Sequence, residues 1–173
     1  MIPGILTDHQ ILTRLCASPP LLDGLQDAQT QVQPCGVDIT VRTVSRFTSR
    51  GAVDFDNTQR ALSSLEAVPW SGEWIDMLPG AYHIVYNERV NLPHDIMALA
   101  YPRSSLLRCG VSLYTAVWDP GYSGRAESLL IVHNEQGFRL SRNARVAQLV
   151  FTALGVAVDS GYDGRFKGEN LDM

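Results

Sequence analysis

An all-β fold, a sandwich or barrel-like domain, is predicted for this 173-residue chain by three observations. From Ile75 onward the sequence is a series of short apolar runs rich in Val, Ile, Leu, Tyr and Trp. Gly, Pro and Asn turns separate those runs at short intervals. Helical periodicity is confined to one short stretch near the N-terminus.

Taken in order, Thr7 or Asp8 caps a helix reaching about Cys16, with Ile11, Leu12 and Leu15 on one apolar face. Ala17–Gln33 carries Ser, paired prolines, Asp and Gln, and is predicted as loop. Gly36–Val41 alternates as a strand. Ser45–Gly72 is polar and weakly patterned, a long excursion with one strand expected near Val53–Phe55. Leu78-Pro79-Gly80 is a turn, and Ala81–Tyr86 a strand. Asn91–His94 is a second turn, followed by a strand over Ile96–Tyr101. Val111–Trp118 and Ser128–His133 are further strands. Phe138–Ser141, Val146–Leu154 and Val156–Val158 complete the series. The last dozen residues are glycine-rich and polar, and a mobile tail is expected there.

The length suits one domain spanning residues 1–173, with a helix and loop over 1–32 and a tail over 161–173. No apolar run approaches the roughly 18–20 residues of a membrane span. The start, MIPGILTDHQ, lacks the basic end and apolar core of a signal peptide, so a cytoplasmic location is expected. The net charge of −4 gives no global attraction for nucleic acid. An anionic ligand therefore needs a local basic pocket. Cys16, Cys35 and Cys109 are odd in number and lack CxxC spacing, which predicts reduced, buried thiols. The HxE…PCxxC pattern of zinc deaminases and the GxxxxGK[ST] phosphate loop are absent. His9, His83, His94 and His133 lack metal-ligand spacing and are expected in structural or surface roles.

Pro102–Gly124, PRSSLLRCGVSLYTAVWDPGYSG, concentrates the chemistry. Arg103 offers a planar fork of donors, and Ser104 and Ser105 add neutral ones. Together they either suit phosphate oxygens, with Arg108 as a second nearby cation, or form a turn with a solvated arginine. Asp119 ends a β run before Pro120-Gly121. A carboxylate there either caps its own turn or acts as a general base toward a water. Tyr122 is either a packed aromatic or a surface for a sugar ring. Gln148 is a polar residue within an apolar strand and needs a hydrogen-bond partner if buried. Arg145 is read as a structural ion-pair partner. Phe166 is an aromatic in the polar tail, either disordered with it or able to close over a bound base and exclude water.

In order along the chain, these pieces resemble the dUTPase and dCTP deaminase superfamily, and most closely the archaeal-type dUTPases of its deaminase-like branch. Gly36-Val37-Asp38-Ile39 resembles the first motif, and Pro102–Leu106 the second. Asp119-Pro-Gly-Tyr122-Ser-Gly124 matches the D-x-x-Y-x-G core of the third. Arg145–Phe151 resembles the fourth and Gly164–Gly168 the glycine-rich fifth. The resemblance covers about residues 33–170, with Ser45–Gly72 unmatched. It implies a distorted jelly roll (the dUTPase-like β-clip) and a homotrimer with pockets at subunit interfaces. It also implies Mg²⁺ held by triphosphate oxygens and water. The catalytic residues it implies are Asp119 and Arg108. The substrate-binding residues are Arg103, Ser104, Ser105, Thr115, Tyr122, Gln148, Arg165, Phe166 and Lys167. Within that set Asp119 activates water, Tyr122 packs on deoxyribose and Phe166 stacks on uracil.

The superfamily holds two chemistries. Deamination needs a glutamate on the strand after the D-P-G turn, and that position here falls on Leu129, Leu130 or Ile131. Glu127 lies two or more residues too early. The Arg108–Asp119 segment is also short for a deaminase. Both departures favour dUTP diphosphate hydrolysis. The N-terminal helix, the Gln33-Pro34-x-x-Val-Asp38 pattern and Arg108 are deaminase-like, which keeps a dCTP deaminase or a bifunctional enzyme as the alternative. A non-catalytic nucleotide-binding regulator is a third reading. Asp119 argues against it, since a binder gains nothing from an anion beside a triphosphate.

Overall fold

A computed structural model describes residues 4–172. Strand β1 (Gly4–Ile5) leads into helix α1 (Asp8–Leu15). Next come β2 (Leu22–Asp23), α2 (Ala28–Gln31), β3 (Val32–Gln33) and the long β4 (Gly36–Phe47). β5 (Leu65–Ala67), β6 (Trp74–Met77), β7 (Gly80–Tyr86) and β8 (Arg89–Asn91) precede β9 (Ile96–Pro102). Helix α3 (Ser104–Arg108) separates β9 from β10 (Val111–Tyr114). β11 (Ser123–Gly124), β12 (Glu127–Val132), β13 (Phe138–Ser141) and β14 (Arg145–Ala153) end the series.

Nine of these strands form one curled sheet along the path β1-β14-β4-β7-β12-β10, with β9 on β14 and β3 and β5 on β4. β4 makes the curl. Its first half, Val37–Thr40, pairs with β14, and its second half pairs with β7. A register irregularity between Val41 and Thr43 marks the change. Such a bulge bends a strand and lets it serve two packed layers. The sheet closes where Ala98 on β9 exchanges backbone hydrogen bonds of 3.0 and 3.1 Å with Trp118. The result is the predicted distorted jelly roll.

Alternation fills the interior. Along β14, Ala147, Leu149, Phe151 and Ala153 point inward, and the residues between them are half-buried. Each large apolar side chain so buried stabilises the fold by about 1.5–3 kcal/mol. Ile11 carries α1 onto this core, fully buried, whereas Leu12 turns to solvent. The apolar face of α1 is therefore narrower than its sequence predicts. A three-stranded sheet, β11-β8-β2, holds the segment after Asp119 against the main body.

Several sequence expectations are corrected. The 17–33 loop contains β2, α2 and β3, each too short to leave a periodic signature. Val53–Phe55 is not a strand. Val53 and Phe55 are exposed, and the strand of the excursion is β5, paired with the end of β4. Residues 104–108 form a helix, where only a turn was read. The strand from Val111 ends at Tyr114, because the chain must leave β12's edge to reach Ala98. Val156–Val158 is irregular, with Val156 exposed. The three cysteines are free, as expected, but exposed rather than buried.

Candidate active site

The Asp119 segment is built by its own turn. Pro120 and Gly121 occupy the two central positions, and the Tyr122 N–H donates to the Asp119 carbonyl at 3.1 Å. Gly121 has φ +85°, as the second central position of a type II turn requires. A Cβ there would lie 2.7 Å from the Gly161 Cα, so the tail's crossing point also demands glycine. The Asp119 side chain is exposed, and among the described residues its carboxylate takes no hydrogen bond from the turn. The self-capping alternative is thus not the one adopted.

Asp119 lies on the rim of a cleft of about 420 Å³ that Trp118, Tyr122, Glu127, Tyr162, Phe166 and Glu169 also line. Tyr122 is buried, packed against Tyr162 with ring centroids 6.0 Å apart. Its hydroxyl donates to Glu169 Oε1 at 2.7 Å. Burial and the adjacent Glu169 hold the phenol well above its ordinary range. Burial likewise raises the Glu169 carboxyl, with the Tyr122 hydrogen bond opposing it.

The tail is seated, not extended into solvent. Gly168 N–H donates to Ser123 O at 2.7 Å, and Arg125 N–H to Glu169 O at 3.0 Å. The Phe166 ring lies at the cleft, with the Arg60 guanidinium 5.7 Å from its centroid. The long excursion thus reaches the tail through Arg60, a contact no motif signalled. Arg165 and Lys167 are exposed, and Lys167 lies 3.5 Å from Asp163.

Glu127, whose placement the sequence leaves open, enters this cleft. Its Oε2 lies 2.7 Å from His83 Nε2, and its Oε1 accepts from Asn170 at 2.9 Å. The His83 interaction lowers the Glu127 carboxyl below its ordinary range, against the opposing effect of burial. Leu129 shares Glu127's face of β12, while Leu130 is fully buried in the core.

The phosphate-type residues collect elsewhere. Arg103 caps α3, and its Nε lies 2.9 Å from Asp38 Oδ2. Arg145 contacts the same oxygen at 3.2 Å. Asp38 is buried, so desolvation raises its carboxyl, with Arg103 and then Arg145 opposing that rise. Arg145 is therefore the structural partner expected, and Asp38 is the organising residue that sequence reasoning passed over. Asp38 alternates with the core residues Val37 and Ile39, so it stands on the other face of β4, where the two arginines cover it. Ser104 and Ser105 are exposed on α3, and Arg108 folds back to donate to Ser104 O at 3.1 Å. Gln148, half-buried, sits opposite Asp38 and Tyr101 in the sheet. Thr115 donates to Ala100 O at 3.4 Å, between the two groups.

On one chain the two groups are far apart. Trp118, next to Asp119, is fixed opposite Ala98, and Arg103 lies five residues further along an extended chain. At about 3.3 Å per residue their backbones are about 16 Å apart. A carboxylate and a phosphate clamp acting on one phosphorus atom must lie much closer than this.

The donor set around Asp119 also bears on metal binding. No group of three or more His, Cys, Asp or Glu side chains among the described residues is arranged to hold a metal ion. Glu127 and Glu169 are committed to neighbours, leaving Asp119 as the cleft's free carboxylate. Such a set suits a magnesium ion that keeps its waters and rides on a triphosphate. Nor is any helix of the described residues long and apolar enough to cross a membrane.

Comparison with known proteins agrees with these motifs. The profile of the dCTP deaminase-like family matches residues 5–154. A probable deoxyuridine 5'-triphosphate nucleotidohydrolase of Archaeoglobus fulgidus is 47% identical over 169 residues, covering 98% of this chain and 99% of the relative. One from Methanococcoides burtonii is 44% identical over 168 residues, covering 96% and 99%. The crystal structure of the 2'-deoxycytidine 5'-triphosphate deaminase from Agrobacterium tumefaciens superposes with a TM-score of 0.67 at 20% identity. That match covers 88% of this chain and 50% of the deaminase, and speaks for the fold alone. With its motifs in order, its sheet curled in the same way and near-full-length relatives in archaea, the chain belongs to the dCTP deaminase-like family.

Proposed function

We propose that the protein is a dUTP diphosphatase, converting dUTP and water to dUMP and pyrophosphate. The observation that carries this reading is the pairing of an unengaged Asp119 carboxylate with an aromatic-lined cleft, in a chain 44–47% identical to archaeal deoxyuridine triphosphate nucleotidohydrolases.

Asp119 accepts the proton of a water that attacks the α-phosphorus. Positioned general bases of this kind contribute typically about 10²–10⁴-fold. Tyr122 walls the cleft where a deoxyribose lies and leaves no room for a 2'-hydroxyl. Phe166 covers the base and excludes water. Arg103, Ser104, Ser105 and Gln148 bind the phosphates, and Arg108, Thr115, Arg165 and Lys167 complete the set. Mg²⁺ carried on the triphosphate oxygens would supply charge neutralisation for the pyrophosphate leaving group.

The backbone separation of about 16 Å between Arg103 and Asp119 is bridged by a second copy of the chain, whose clamp meets this copy's Asp119. A homotrimer with interfacial sites satisfies that requirement.

Glu127 distinguishes hydrolysis from deamination. A proton carrier must be free to gain and lose a proton near the working pH. Glu127 is instead held as an anion by His83 and engaged by Asn170. Leu129, the neighbouring position on its face, carries no proton at all.

The test is a nucleotide panel with Mg²⁺, reading pyrophosphate and ammonia together. Pyrophosphate from dUTP without ammonia from dCTP is expected. Ammonia from dCTP would overturn the assignment and return Glu127 to a catalytic role.

A further inference from the structure

We infer that Glu127, held by His83, is a positioning residue that docks the C-terminal tail over the cleft through Asn170. Glu127 stands at the first position of β12, opposite Val85 on β7. His83, two residues earlier on β7, reaches back to it at 2.7 Å. The His83 side chain is only 12% exposed. Neither of its ring nitrogens forms a hydrogen bond of good geometry among the described residues, so Nε2 meets Glu127 Oε2 as a close polar contact, and the Phe47 ring packs at right angles to the imidazole. The charged groups facing this pair are Glu169 of the tail and Arg125, the residue before Ala126 and Glu127.

The tail meets this platform in one unit. Asn170 Nδ2 donates to Glu127 Oε1 at 2.9 Å and to the Arg125 carbonyl at 3.0 Å. The Arg125 guanidinium donates in return to the carbonyls of Asn170 and Leu171 at 3.2 and 3.3 Å. Backbone contacts of this sort exchange readily with water. A hydrogen bond to an ionised, half-buried carboxylate is stronger, and losing one partner leaves the other desolvated. His83 matters because it keeps Glu127 an acceptor: both carboxylate oxygens are occupied, one by each neighbour. The same device that withholds Glu127 from proton transfer therefore holds the lid.

The test is trypsin digestion of the native, nucleotide-free protein at limiting enzyme, following cleavage at the tail's Arg165 and Lys167 by mass spectrometry. No nucleotide is present, so the result is independent of the reaction assigned above. Asn170→Asp sets two carboxylates against each other and should raise the tail cleavage rate about tenfold. Since it lies in the tail, the domain's thermal midpoint should stay unchanged. Glu127→Gln combined with Asn170→Asp reverses donor and acceptor at this contact and should restore part of the protection, the donation to the Arg125 carbonyl staying lost. His83→Phe, which keeps the ring's packing, should loosen the tail in the same direction. Unchanged cleavage in Asn170→Asp, or failure of the double variant to restore protection, would overturn the latch.

Discussion

The Asp38–Arg103–Arg145 cluster, the proposed phosphate clamp, and the Asp119 cleft are assembled in opposite ways. The clamp stands on the centre of the sheet. Asp38 on β4 ties Arg103, just past the end of β9, to Arg145 at the start of β14, the strand that pairs with both. Its geometry is set by core hydrogen bonding before any nucleotide arrives. The cleft is made from a turn, the edge of β12 and a tail that crosses back over both. Its aromatic walls, Tyr122, Tyr162 and Phe166, come from segments with little regular structure. A rigid clamp suits a ligand part whose charge is always the same. A closable cleft suits the part that must be admitted, enclosed and released.

Experiments on each region sharpen that contrast. The largest effect is expected at the cleft. Asp119→Asn should lower kcat by about 10²–10⁴-fold while leaving the affinity for a non-hydrolysable dUTP analogue intact. Calorimetric titration alongside steady-state rates checks it. Mixing Asp119→Asn with Arg103→Ala subunits, then refolding them together, should recover part of the activity that neither shows alone. No recovery would place clamp and base on a single chain after all.

Next comes the clamp. Asp38→Ala leaves two arginines without their shared anion and should cost about 3 kcal/mol of folding stability, read as a shift in urea midpoint. Replacements in the tail should not move that midpoint, because the tail lies outside the sheet. The smallest effect is expected at Tyr122. Tyr122→Ala opens space beside the sugar and should narrow the preference for dUTP over UTP by about tenfold, measured as a ratio of kcat/KM values. Tyr122→Phe keeps the ring and removes only the hydrogen bond to Glu169. It should keep the selectivity and loosen the tail.

Much of this was legible in the residues. The DPGYSG run predicts its own turn, because Pro and Gly at adjacent positions admit few alternatives. The β series after Ile75 follows from alternation, and α1 from its cap and Ile11. Asp38 was quoted in a motif, yet its role was not readable. A buried carboxylate is defined by the arginines that reach it, and these lie 65 and 107 residues further along. The partnership of Glu127, His83 and Asn170 was hidden for the same reason. None has telling spacing, and each is ordinary by itself.

By itself, then, the sequence determined the local chemistry: which segments bend, which alternate, and which carry donors, a base and aromatic rings. Those properties depend on neighbours within a few residues. The tertiary structure alone decided that the Arg103 cluster and Asp119 stand apart on one chain, that the tail lies on Ser123 and Arg125, and that Glu127 is engaged. Each of these depends on strand register and on the bend in β4, which bring distant residues to within 3 Å or carry near ones apart.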